Sequence, residues 1–284
     1  MKLHHPRTVD QVVALLAEDQ DARCLAGGAT LVAMMNADLL APTALVSLRD
    51  VETLKGISLT SDGTAVIGAM TNHVTLAETN DFDKGQRIVA EAASVIGHPA
   101  IRNMGTIGGA IAHADSAADY PAALVAAEAV IRTAGGQGER DIPAGEFFVD
   151  YLETALQEGE MVSSVLIPPA PDGAVAYEKF ARVEGDFATV SVAVVLKERQ
   201  GNIDYIRLAV GACAPTPIRS IEVENMLRVD GISDQTIALA SEKIIAAADP
   251  VDDFRGTAEY RLNLIPVLIT RALARARNSQ KGEV

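Results

Sequence analysis

Two glycine pairs, each followed by small residues, stand about eighty residues apart in this chain. The first lies in "LAGGATL" (25–31). The second lies in "GTIGGAIAHADSAADYPAAL" (105–124), a stretch with almost no large apolar side chain. Glycine admits positive φ and lets another backbone or a ligand come close. Consecutive N–H groups in such a turn form a concavity that attracts anions, and a helix that starts there adds its dipole. Gly27-Gly28-Ala29-Thr30 fits this description, with Thr30 as an extra hydroxyl donor and as the cap of the helix-like "LVAMMNADLL". Thr106-Ile107-Gly108-Gly109-Ala110 reads as a second turn of the same kind. Two such turns suit the two ends of a pyrophosphate, although a glycine pair alone is also an ordinary turn. GxGxxG and GKS/GKT are absent, which excludes the Rossmann and P-loop ways of holding phosphate.

Around these pairs the pattern alternates between helix and strand. A short N-terminal strand precedes a helix capped by Thr8. "ARCL" and "PTALVSL" read as strands, and "ISLTSDGTAVIGAM" reads as a hairpin turning at Ser-Asp-Gly. "FDKGQRIVAEAASVIG" is helical and stops at Gly97, with Pro99 beyond. "DYPAALVAAEAVIRT" is a helix running into a strand. The Pro-rich "PPAPDG" at 168–173 marks a linker. After it come three strands, "AYEKFAR", "ATVSVAVVLKE" and "DYIRLAVGACA", with a Gly-Asn turn between the last two. Three helices follow, "IRSIEVENMLR", "SDQTIALASEKIIAAA" and "AEYRLNLIPVLITRALARA", with a kink expected at Pro266. The second half thus reads as a small sheet covered by helices on one face. The predicted units are 1–170, in two parts of about 1–55 and 56–170, and 174–284.

Composition narrows the class. The formal net charge is −14, which argues against nucleic acid and anionic membrane as partners. Hydrophobic residues make up 49%, so a large core is available, and with aromatics at 4% Ala and Val supply most of the packing. No apolar run approaches the ~18 residues of a membrane span. The N-terminus lacks the apolar run of a signal peptide. Cys24 and Cys213 are far apart and no CxxC occurs, so the chain builds neither a zinc site nor an all-Cys iron–sulfur cluster by itself. A reduced, cytoplasmic protein is the default reading.

Together, "AGGAT" (26–30), "IRNMGTIGG" (101–109) and "AHADSAADYP" (112–121) resemble the FAD-binding medium subunits of molybdenum hydroxylases, the aerobic carbon monoxide dehydrogenase and xanthine dehydrogenase type. "LVSLRDV", "VIGAMT", "AYEKFARVEGDFATVSVAVVL" and "GTAEYRLNLIPVLITRAL" sit in that family's order, so the resemblance covers nearly the whole chain. It implies an α+β architecture: the two-part FAD-binding fold of the vanillyl-alcohol-oxidase (PCMH) type, then a C-terminal sheet-and-helix domain. It implies that Ala26–Thr30 and Thr106–Ala110 wrap the FAD pyrophosphate, that Asp119 accepts from ribityl hydroxyls, and that Phe187 lies near the flavin ring. Lys179 is implied to neutralise the flavin's pyrimidine edge. Leu25, Leu31, Ala69, His113 and Val162 complete the implied cofactor set. Phe187 has a second reading as a core residue at a strand start, and Lys179 as a solvated strand residue.

The sequence departs from the family pattern at two places. Ala110 stands where the family usually has Asn, and Ala29-Thr30 where it often has His-Ser or Gln-Ser. Backbone contacts to a pyrophosphate survive both changes; an amide side-chain contact at 110 does not. His113 and Asp115 lack the further ligands a metal site needs. His4 and His5 read as surface residues, and His73 and His98 as loop or cap residues. Arg261, Arg271, Arg275 and Arg277 give the last helix a basic face suited to the surface or a subunit contact.

The function implied is electron transfer. A large partner subunit carries the molybdopterin cofactor, a small one carries two [2Fe–2S] clusters, and FAD in this chain passes electrons to an external acceptor. The complex expected is a dimer of heterotrimers. Two alternatives stand beside this: a stand-alone FAD oxidoreductase of the same fold, of the UDP-N-acetylenolpyruvylglucosamine reductase type, and a scaffold subunit that has lost flavin.

Overall fold

The computed structural model describes residues 1–170 and 173–281. Pro171 and Asp172, the centre of the expected linker, lie outside the described residues. The chain opens with β1 (Lys2–His4), α1 (Val9–Glu18), β2 (Arg23–Leu25), α2 (Leu31–Asn36) and β3 (Ala44–Ser47). Both β1 and β2 pair in parallel with β3, which the intervening helices make possible by carrying the chain back across the sheet. Thr8 caps α1 as expected, its Oγ1 accepting from Gln11 N–H at 3.3 Å. Thr30 does not cap α2. Its φ and ψ of −89° and −52° are already helical, whereas a capping side chain needs an extended residue behind it. The helix is also only 6 residues long, and Asp38 turns the chain with φ 55° just after it.

The next unit runs β4 (Ile57–Leu59), β5 (Ala65–Gly68), α3 (His73–Glu78), α4 (Arg87–Ser94), α5 (Pro99–Met104), α6 (Ile107–His113) and α7 (Asp119–Ala126). It continues with β6 (Val130–Gly135), β7 (Gly138–Pro143), α8 (Ala144–Phe147), β8 (Phe148–Asp150), β9 (Glu153–Thr154) and β10 (Met161–Ile167). β4 and β5 form the expected hairpin within an antiparallel sheet ordered β4-β5-β10-β6-β7. Helix α4 ends at Ser94, ahead of Gly97. Every residue of α7 is buried, so this helix is enclosed on all sides and works as an internal wedge.

The last unit is β11 (Ala174–Phe180), β12 (Val190–Arg199), β13 (Asn202–Gly211), β14 (Ile218–Arg219), α9 (Ile221–Asp230), α10 (Asp234–Ala246) and α11 (Ala258–Lys281). Ile218 and Arg219, read as helical, instead add a fourth strand to the sheet. Helix α11 continues on both sides of Pro266.

The expectation that helices cover one face of this sheet is corrected by its core. Val190, Val192, Val194 and Leu196 on β12 pack with Ile265, Leu268 and Leu273 of α11. Ala193 and Val195, pointing the other way, share a core with Ala122 and Leu124 of α7 and Val89 of α4. The uninterrupted apolar run "VSVAVVL" carries that information, because a strand buried on both faces does not alternate.

The basic face expected on α11 is also corrected. Arg261 is 3% exposed and donates to the Thr189 and Ala212 carbonyls at 2.6 and 3.0 Å and to Asp253 at 2.7 Å. Arg275 pairs with Glu178 at 2.8 Å and with Glu91, and Arg277 pairs with Glu198 at 2.7 Å. These arginines tie the helix to its own chain, and Arg271 alone of the four is exposed without a partner among the described residues.

Candidate functional site

The first glycine pair leaves the C-terminal end of β2, the end of a parallel strand where open α/β sheets place ligands. Gly28 takes φ +78°, a left-handed conformation that costs glycine nothing. Gly27 lies so close to the α5–α6 junction that a Cβ on it would sit 2.0 Å from the Met104 carbonyl oxygen. Among the described residues, the backbone N–H groups of Gly27, Gly28, Ala29 and Thr30 find no protein acceptor. Four adjacent donors are thereby left for solvent or for an anion.

The second pair is not a turn. Gly108 and Gly109 lie in the first turn of α6, and its amides are already engaged. Ile107 N–H donates to Thr71 O at 3.0 Å, and Gly108 N–H to Ala69 O at 2.9 Å. Gly109 N–H donates to Thr106 Oγ1 at 3.2 Å, and Ala110 N–H to Thr106 O at 3.0 Å. The expectation of a second anion-binding turn is therefore corrected. Gly108 serves close packing instead, since a Cβ there would lie 2.5 Å from the Ala69 Cβ. Gly109 is exposed, with only Thr106 Oγ1 and Ala26 Cβ near its missing side chain.

Between the two segments opens a cavity of about 650 Å³, a size within the ~300–1,000 Å³ typical of small-molecule and cofactor sites. Ala26 through Leu31, Ala69, Thr106, Gly108, Gly109, Ala110, His113, Asp119, Val162 and Phe187 all line it. Two members of the expected set do not. Leu25 borders a second hollow behind the glycine loop, with Leu3, His5 and Arg49. Lys179 lies outside the cavity wall and is not a solvated strand residue either. It bonds to Asp119 at 2.9 Å and to the Val95 carbonyl at 3.1 Å, with its side chain 9% exposed.

Asp119, at the start of α7, is 4% exposed. One carboxylate oxygen accepts from Tyr177 Oη at 2.8 Å and the other from Lys179 Nζ. The carboxylate expected to be an open acceptor is thus engaged inside the protein. Burial pushes its pKa up, and Lys179 and Tyr177 oppose that shift. Of the cavity-lining residues only Arg23 carries a fixed positive charge, and its guanidinium is tied to the Gln20 and Ala22 carbonyls. An anion in this cavity is therefore met by backbone N–H groups rather than by cations.

Phe187 is the one cavity residue drawn from the C-terminal sheet unit. It is 38% exposed, which sets aside its reading as a core residue. The Arg255 guanidinium lies 5.2 Å from its ring centre and 4.3 Å from that of Phe254.

Sequence reasoning missed His73 and Tyr120. His73 opens α3, is 4% exposed, and meets Tyr120 Oη through Nδ1 at 2.9 Å. Burial, aided by Arg102, lowers its pKa to about 4. Both residues line the cavity. No local pattern signals this pair, because its members come from different helices. Cys24 lines the cavity as well, and burial raises its thiol to about 12, so it stays protonated.

The chain matches two family models: the FAD binding domain in molybdopterin dehydrogenase over residues 1–170, and the CO dehydrogenase flavoprotein C-terminal domain over 175–276. It is 37% identical over 272 residues to the 6-hydroxypseudooxynicotine dehydrogenase complex subunit alpha of Paenarthrobacter nicotinovorans, covering 95% of this chain and 92% of that one. It is 35% identical to the carbon monoxide dehydrogenase medium chain of Hydrogenophaga pseudoflava, covering 95% and 94%. The carbon monoxide dehydrogenase of Hydrogenophaga pseudoflava, solved in a form lacking the Mo-pyranopterin moiety of its cofactor, superposes with a TM-score of 0.93 at 35% identity, covering 98% and 97%. With both domain models matched in order along nearly its full length, this chain belongs to the FAD-binding subunits of the molybdenum hydroxylases, and is one component of an oxidoreductase.

Proposed function

We propose that this chain is the electron-transfer subunit of a heteromeric molybdenum hydroxylase, with FAD held in the cavity and its diphosphate on the N–H groups of Gly27 to Thr30. The observation that carries this reading is the row of four amides without protein acceptors beside a cavity of about 650 Å³. A hydrogen bond to a charged group is worth about 1.5–3 kcal/mol net, so the row outweighs what longer polar side chains at positions 29 and 110 would add. Ala69, Val162 and Leu31 supply apolar wall. Phe187 stands where a ring can cover part of a bound flavin and limit its exposure to solvent. When bound, FAD supplies the redox chemistry, and the protein supplies binding, orientation and the local field.

The proposed partners are a large molybdopterin subunit and a small subunit with [2Fe–2S] clusters, assembled as a dimer of heterotrimers in the cytoplasm. Two cysteines, both free and both with thiols raised to about 12, fit a chain that holds no cluster. Electrons would enter from the small subunit and leave to an external acceptor. Purified alone, the chain should show an oxidised-flavin absorption spectrum yet fail to oxidise aldehydes or N-heterocycles, and co-expression with its partners should restore turnover. A colourless chain that still folds would favour a flavin-free scaffold. Turnover by the isolated chain would favour the stand-alone oxidoreductase.

A further inference from the structure

Among the described residues, one ring nitrogen of His73 has no partner. Its Nδ1 lies 2.9 Å from Tyr120 Oη, and no other polar group bonds to that phenol among the described residues. Tyr120 is 1% exposed, and burial together with Asp119 pushes its pKa well above the usual value, so the phenol keeps its proton. A neutral phenol with one neighbour donates to it. Nδ1 therefore accepts, and the imidazole, neutral in this apolar setting, carries its own proton on Nε2. That Nε2–H has no acceptor among the described residues, although the side chain is almost wholly buried. Nε2 is not sealed off from solvent; it reaches the cavity that His73 lines, where water or a ligand can accept from it.

The neighbouring backbone packs directly against this nitrogen. Gly105 has φ −69° and ψ 150°, a conformation open to any residue, so the backbone does not demand glycine. The space does: a Cβ at Gly105 would lie 2.5 Å from His73 Nε2. Gly105 and His73 both line the cavity, and the Gly105 Cα lies 2.9 Å from where a Cβ on Gly27 would be. Nε2 therefore packs against Gly105, which in turn borders the loop whose amides are unoccupied.

We propose that His73 is a ligand-contacting residue, its Nε2–H donating to a diphosphate oxygen of the bound cofactor, with Tyr120 as the positioning residue that fixes the tautomer. This rests on the reading that the cavity holds FAD. It assigns the cofactor's anion to two sources of donors, the Gly27–Thr30 amides and one neutral imidazole, in a site with no free cation among its lining residues.

Binding of FAD, ADP and riboflavin to the full chain, measured for wild type, His73→Phe and His73→Gln, tests it. Loss of a donor to a charged group predicts that His73→Phe weakens FAD and ADP about tenfold or more. Riboflavin, which lacks phosphate, should stay within about twofold, and His73→Gln, which keeps an N–H donor, should recover most of the loss. An equal loss for riboflavin, or no loss for ADP, overturns the proposal. A wild-type chain that binds neither FAD nor ADP overturns the cofactor reading together with it. Nitrogen-15 NMR of the wild-type histidines, with His73 assigned by its absence in His73→Gln, decides even if His73→Phe fails to fold. An Nε2–H tautomer whose Nε2 signal moves on ADP addition supports the proposal, and an Nδ1–H tautomer or an unmoved signal contradicts it.

Discussion

The two glycine pairs read alike as sequence and do opposite things as structure. At 27–28 the chain makes an open loop with N–H groups that meet no protein acceptor. At 108–109 it makes the first turn of a helix whose amides all bond within the fold. The side chains follow the same division. Beyond α6, Asp119 is closed off by Lys179 and Tyr177, while the N–H groups of Gly27 to Thr30 meet no acceptor among the described residues. What distinguishes a binding loop from a packing glycine is therefore where each backbone donor goes, which no count of glycines reveals.

The largest effect should come from the inward-facing region. Lys179→Met leaves a buried carboxylate without its cation, which costs about 3–5 kcal/mol of stability. Asp119 already has a folded-state pKa above its unfolded value, and losing the cation raises it further. The folded state then holds a proton that the unfolded chain releases, so the variant should gain stability as pH falls and lose it as pH rises through the raised value. Chemical denaturation from pH 4 to pH 8 reads this; a deficit independent of pH would detach Asp119 from the pair.

Gly27→Val tests the outward-facing region. A branched side chain must displace the Met104 carbonyl or the loop itself, so FAD affinity should fall about 100-fold, near 2.8 kcal/mol at ~1.4 kcal/mol per decade, while cooperative melting persists. Thr106→Val removes the α6 cap and should cost about 1 kcal/mol of stability. Its effect on FAD affinity should be slight, because the Gly109 amide it caps is engaged by the protein rather than offered to a ligand; a strong loss of binding would erase the contrast between the two pairs.

The smallest effect is at Phe187. Phe187→Ala should change FAD affinity by about 1 kcal/mol or less, while increasing acrylamide quenching of bound-flavin fluorescence. Unchanged quenching would remove Phe187 from the cofactor's surroundings.

Much of this was legible in the sequence because it is local or periodic. The Thr8 cap, the hairpin at 57–68, the wedge helix at Asp119 and the strands at 174–211 announce themselves through capping residues, turn residues and apolar runs. Most of the residues that the family motifs named do line the cavity, though much of its wall comes from residues they did not name. What stayed hidden depends on pairs distant in sequence. Lys179 reads as a flavin-edge cation or as a solvated strand residue until Asp119 is placed beside it. Arg261 reads as a surface charge until the Thr189 and Ala212 carbonyls close over it. His73 reads as isolated until Tyr120 arrives from another helix. The second glycine pair reads as a turn because helix N-termini tolerate glycine, and only the acceptors at Ala69 and Thr71 show that its amides are taken.

The central claim is that the Gly27–Thr30 amides hold the cofactor's diphosphate and the Ile107–Ala110 amides do not. Residue-resolved amide hydrogen exchange of the full chain, without and with saturating FAD, tests it directly. The account predicts that Gly27, Gly28, Ala29 and Thr30 exchange freely in the free chain and become protected on binding, while Ile107 to Ala110 are protected in both states. Protection gained at Ile107–Ala110, with none gained at Gly27–Thr30, would contradict it.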